Sequence, residues 1–77
     1  MKIAVASRSF SKNRVLLGEL RDLGIEVVAN SEGTSFRSAE ALASFIGDAE
    51  LAVIGLEPVD AAVLAACPRL ELVAKYG

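Results

Sequence analysis

The chain has 77 residues, 53% of them hydrophobic, and a formal net charge of −2, so it makes one small domain with no basic stripe for nucleic acid. It contains no histidine, which removes the commonest general base and transition-metal ligand. Its single cysteine, Cys67, excludes an intramolecular disulfide and favours an intracellular, cytoplasmic setting; no apolar run is long enough to cross a membrane.

Lys2 to Ser7 is a short apolar run between polar residues and predicts a first strand. Residues 7–13, Ser-Arg-Ser-Phe-Ser-Lys-Asn, predict a polar loop. Leu16, Leu20 and Leu23 then recur at i, i+4, i+7, with Val15 and Leu17 flanking, and predict a helix. Ser11 or Asn13 can cap its start, and Gly24 suits a left-handed C-terminal cap. Ile25 to Val28 predicts a second strand, and Asn30 to Arg37 a loop. Ser38 can cap a second helix with Ala39, Leu42, Phe45 and Ile46 on one face, ending at Gly47. Leu51 to Gly55 is apolar on both faces, as a parallel strand covered by helices should be. Asp60 can cap a third helix through Ala66, which Pro68 prevents from continuing. Leu70 to Tyr76 predicts a fourth strand, with Leu70, Leu72 and Ala74 on one side and Val73 on the other.

Strands alternating with helices through short connections imply right-handed parallel βαβ units. The predicted fold is α/β: a truncated flavodoxin-like three-layer unit, four parallel strands in order 2-1-3-4 with three crossover helices. The first helix belongs on one sheet face, the second and third on the other. Read as a single partial domain over residues 1–77, cut after the fourth strand, it leaves one face half bare and one edge open. With a mean hydropathy of +0.47, the expected consequence is self-association as a homodimer.

The strand order puts a topological switch between the first and third strands, where the loops 7–13 and 55–60 meet. The first loop offers three hydroxyls, two cations and a helix N-terminus to an anion. It has no glycine to curl backbone amides around a phosphate, so a plain polar loop with an N-cap accounts for it better. No GxGxxG follows a strand and no GxxxxGK[ST] occurs, so no nucleotide fingerprint is present. Ser7 and Gly55 stand where a phospho-relay receiver would need carboxylates. Glu57 lacks a partner acid or base and reads as a solvated loop residue. Lys75 reads either as an anion contact at a strand tip or as a protective edge lysine. Cys67 reads as a small buried apolar residue, and Asp48 and Glu50 as solvated turn residues.

Three segments carry a resemblance: Met1-Lys2-Ile3-Ala4-Val5-Ala6-Ser7-Arg8-Ser9-Phe10-Ser11, then Gly55-Leu56-Glu57-Pro58-Val59-Asp60, then Val63 to Leu70 followed by Lys75-Tyr76-Gly77. Together they resemble the N-terminal part of the substrate-binding domain of D-isomer-specific 2-hydroxyacid dehydrogenases, the phosphoglycerate dehydrogenase group. The resemblance implies a flavodoxin-like substrate-binding domain whose parent is an NAD-dependent oxidoreductase. It matches Lys75 to a position often held by arginine, Tyr76 to a variable position, and Gly77 to the first glycine of a Gly-x-Gly loop. The family's catalytic arginine, glutamate and histidine, and its NAD-binding domain, lie further along the parent chain. The expectation is therefore a non-catalytic fragment, with no catalytic, cofactor or metal residue of its own. Its candidate substrate contacts are Arg8, Ser9, Lys12, Lys75, Tyr76 and Gly77. An alternative reading is a free-standing module that binds a carboxylate or phosphate weakly through Arg8, Lys12 and Lys75.

Overall fold

A computed structural model describes residues 1–55, 57 and 59–76; Gly77, Leu56 and Pro58 lie outside the described residues. The elements are β1 (Lys2–Val5), α1 (Arg8–Ser11), α2 (Arg14–Asp22), β2 (Glu26–Ala29), α3 (Ala39–Ile46), β3 (Leu51–Ile54), α4 (Ala61–Ala66) and β4 (Leu72–Lys75). Among the described residues, the strands form one parallel sheet in the order β2-β1-β3-β4. This is the α/β flavodoxin-like arrangement expected from the alternating pattern. No helix among the described residues is long and apolar enough to cross a membrane.

The two faces of β1 differ in side-chain size, and each is matched by its helices. Ala4 and Ala6, with Ala52 of β3, face Leu42 and Ile46 of α3, Val63 of α4 and Cys67. Small side chains on the sheet let bulky helix residues seat close to the backbone. On the other face Ile3, Val5 and Val53 meet Leu17 of α2, with Leu20 and Ile25 around them. So the helix of the first crossover covers one face, and those of the second and third cover the other, as the strand order requires.

Local caps set most boundaries. The predicted polar loop 7–13 contains α1, because the Ser7 hydroxyl accepts from the Phe10 amide and starts a helical turn. Asn13, rather than Ser11, caps α2, accepting from the Leu16 amide. At the other end of α2 the Ile25 amide donates to Leu20 O and the Gly24 amide to Arg21 O, the two bonds of a Schellman turn. Gly24 takes φ +81° there, which a side chain disfavours. The turn uses the Ile25 backbone, so β2 begins one residue later than predicted. It also turns Leu23 outward at 75% exposure, while Leu17 takes the core position. Ser38 and Asp60 cap α3 and α4 as expected.

β4 is shorter than predicted. Leu70 N–H donates to Cys67 O in a turn, and Leu70 packs on the α3–α4 side. Leu72 and Ala74 register opposite Leu51 and Val53, on the α2 side. Leu70 therefore does not share a face with them, because the turn breaks the alternation. Leu72 is 57% exposed.

Leu42 has no exposed surface and sits at the centre of the α3–α4 cluster. Leu42→Ala is expected to cost about 2–5 kcal/mol, a large share of the roughly 5–15 kcal/mol typical of a domain, measured as a lowered urea midpoint.

Candidate functional site at the strand tips

Three strands converge at the topological switch. Past the end of β1, the amides of Ala6 and Ser7 both donate to Val53 O, at 2.8 and 3.2 Å. Past the end of β4, the Tyr76 amide donates to Ile54 O at 2.7 Å. The Ser7 hydroxyl, 2% exposed, accepts from Phe10 N–H at 3.2 Å and donates to Tyr76 O at 3.4 Å. Gly55 lies between them: a Cβ there would meet Tyr76 O at 3.3 Å and Ser7 Oγ at 3.4 Å. This close approach is what a glycine at the end of β3 permits. The Phe10 and Tyr76 rings close the cluster edge to face, with centroids 4.9 Å apart.

A second polar cluster ties β2 to the same end. The Asn30 amide donates to Val5 O at 2.9 Å and to Ser11 Oγ at 3.0 Å, while the Ser11 hydroxyl donates to Val5 O. Asn30 is buried, and its side-chain amide donates to Ala6 O and Thr34 O. Its Oδ1 accepts from the Thr34 amide. This side chain thus holds the loop after β2 through Thr34 and ties it to the end of β1 through Ala6 O. Sequence reading took Asn30 only as the start of a loop, and Ser11 as a possible cap and one of three loop hydroxyls. The available signal was an asparagine at the exit of a β-branched strand with a threonine four residues on, the pattern of a side chain that mimics a backbone turn.

The candidate contacts are spread along this end of the sheet rather than gathered into one pocket. Arg8, Ser9, Lys12, Lys75 and Tyr76 are all exposed. Arg8 leans toward the loop after β2, its Cδ 4.0 Å from where a Cβ on Gly33 would lie. Lys12 lines a groove beside Ala29 and Ser31. Lys75 ends β4, where it registers with Ile54, and Tyr76 follows it. Gly77 lies outside the described residues.

Glu57 is not simply solvated. It is half-buried, and its Oε1 accepts from the Gly55 amide at 2.7 Å. An anion using that amide must displace this carboxylate. Cys67 is buried as expected, its thiol 3.6 Å from Ala43 O, and burial raises its pKa, so it stays protonated near neutral pH. Among the described residues no three His, Cys, Asp or Glu side chains gather as a metal site would need.

No family model, curated protein or solved structure matches the chain.

Asn30→Ala would leave Ala6 O, Thr34 O and Thr34 N–H without their side-chain partner. The expected loss is about 1–3 kcal/mol, with faster hydrogen exchange at the Thr34 amide than at amides of α3.

Proposed function

We propose that the chain is part of the substrate-binding domain of a D-2-hydroxyacid dehydrogenase and is itself non-catalytic. In this reading the strand tips contact the anionic end of a 2-hydroxy acid. The observation that supports it most is the convergence of β1, β3 and β4 on Ser7, Gly55 and Tyr76 at the topological switch. Open α/β sheets bind ligands at such switch points. Of the segments that resemble the dehydrogenases, Ser7-Arg8-Ser9, Gly55 and Lys75-Tyr76 fall on the same tips.

Oxidising a 2-hydroxy acid requires a hydride acceptor and a base for the hydroxyl proton. Here the Ser7 hydroxyl is held as a helix cap and Glu57 holds the Gly55 amide. The chain has no histidine. NAD and the catalytic groups therefore belong to the rest of the parent enzyme, and the setting is cytoplasmic.

Addition of D-lactate or pyruvate at millimolar concentration is expected to shift the amide resonances of Ser7 to Lys12 and of Lys75 and Tyr76. NADH oxidation by the chain with pyruvate should stay at the blank rate. Unmoved resonances at both tips would remove the substrate-domain assignment.

A second property follows from β4. Leu72, 57% exposed, lies beside Leu51 on the α2 side of an edge strand. We propose that two copies associate through this edge, as a homodimer. Covering a leucine is worth about 1.5–3 kcal/mol, so Leu72→Lys is expected to weaken the dimer at least about tenfold in sedimentation equilibrium. A wild-type chain that sediments as a monomer at every concentration would rule the dimer out.

A further inference from the structure

We propose that the groove between α2 and the end of β2 binds a small molecule carrying two phosphate groups, at a site apart from the switch point between β1 and β3. Charge along the chain is uneven. Residues 8–21 hold Arg8, Lys12, Arg14 and Arg21, half of the chain's 8 Lys and Arg, against the single carboxylate of Glu19, in a protein of net charge −2. Three of these cations surround one groove of about 640 Å³: Lys12 at the end of α1, and Arg14 and Arg21 on α2. That volume is in the range of small-molecule sites, roughly 300–1,000 Å³.

The helix geometry fixes the spacing. Arg14, Leu17 and Arg21 stand at i, i+3 and i+7, on one face of α2, so the two arginines are about 10 Å apart along the axis. Leu17 is buried against Ile3 and Val5 and gives the groove an immobile floor, continued by Ala29. Ser31 supplies a hydroxyl on the opposite wall. Ser11 also lines the groove, but its hydroxyl is already bonded to Val5 O and Asn30 N–H.

No carboxylate lines this groove, and among the described residues the ion pairs involve Lys2, not Lys12, Arg14 or Arg21. Cations crowded around one depression repel one another unless an anion joins them. Guanidinium forks match phosphate oxygens two at a time, and a phosphate monoester carries nearly twice the charge of a carboxylate at neutral pH. Two arginines about two helical turns apart favour two phosphate groups over one. No aromatic ring lines the groove for a base to stack on, which argues against a nucleotide or a single-stranded nucleic acid.

The test is an NMR titration of the chain with fructose 1,6-bisphosphate and, separately, inorganic phosphate. The bisphosphate is expected to move the amides of Lys12, Arg14, Arg21 and Ser31, and to bind at least about tenfold more tightly than phosphate. Arg14→Gln and Arg21→Gln, both at exposed positions, should each weaken it about tenfold with an unchanged circular dichroism spectrum. Equal binding by wild type and both variants would overturn the proposal. So would shifts confined to residues 7–9 and 75–76, which would place the phosphates at the strand tips instead. The Lys12 amide is common to both tests, so Arg14, Arg21 and Ser31 report on this groove, residues 7–9 and 75–76 report on the dehydrogenase reading, and the two proposals fail separately.

Discussion

The Val5 carbonyl, at the exit of the central strand, accepts from both the Asn30 amide and the Ser11 hydroxyl. This shared acceptor joins β1, α1 and the end of β2 at one buried point. A carbonyl left unpaired there would cost as much as a lost hydrogen bond, and the chain returns to it from two directions. The return through Ser11 closes the segment after β1 into a helical turn. The return through Asn30 stops β2 in register and starts its loop. With α1 in place, the Ser7 hydroxyl is held inward, where it reaches the Tyr76 carbonyl and sets how closely Gly55 can approach. The geometry of the strand tips is thus a consequence of how one central carbonyl is satisfied.

The opposite end of the sheet is tied differently. Lys2 pairs with Asp48 at 2.7 Å and lies 4.0 Å from Glu26, all at exposed positions or on the surface. The contact raises the Lys2 pKa and lowers that of Asp48, chiefly through their hydrogen bond. Solvent screens such a pair, so it aligns the strand starts without contributing much stability. Side-chain hydroxyls and amides thus tie the tips, whereas at the strand starts the ion pair only adds to backbone bonds such as Glu26 N–H to Met1 O and Glu50 N–H to Lys2 O.

What could be read from the sequence was what repeats. The apolar runs at 2–7 and 51–55 located β1 and β3, and Ser38, Asp60 and Gly24 marked helix ends correctly, because caps are local and chemically distinct. Strand order followed from short crossovers. The errors came where a residue's partner is distant in sequence. Ser11 looked like a cap because its real partners, Val5 O and the Asn30 amide, are set by tertiary pairing. Leu23 and Leu70 fitted periodic patterns, yet each sits in a turn whose backbone bonds override the period. Arg8 and Lys12 were grouped with Lys75 because all follow strand ends. The predicted order 2-1-3-4 does place β1 between β2 and β3, but it leaves open to which side α1 leans.

That lean divides the charge at the ligand end of the sheet. Arg8 and Lys12 face the β2 side, where Arg14 and Arg21 add to them. On the β3 side the nearest charged group at Gly55 is the Glu57 carboxylate, bonded to its amide. On the proposed reading, Coulomb attraction would draw a mobile anion first toward the groove beside α2. To reach Gly55, the anion must exchange places with Glu57. Such an exchange keeps one charge-assisted bond to the amide and moves one carboxylate into water, so its cost lies in moving the loop after β3 rather than in lost hydrogen bonding. Any affinity at the switch point is then governed by how readily Glu57 leaves that amide, whereas affinity at the groove would depend on side chains that make no ion pair among the described residues.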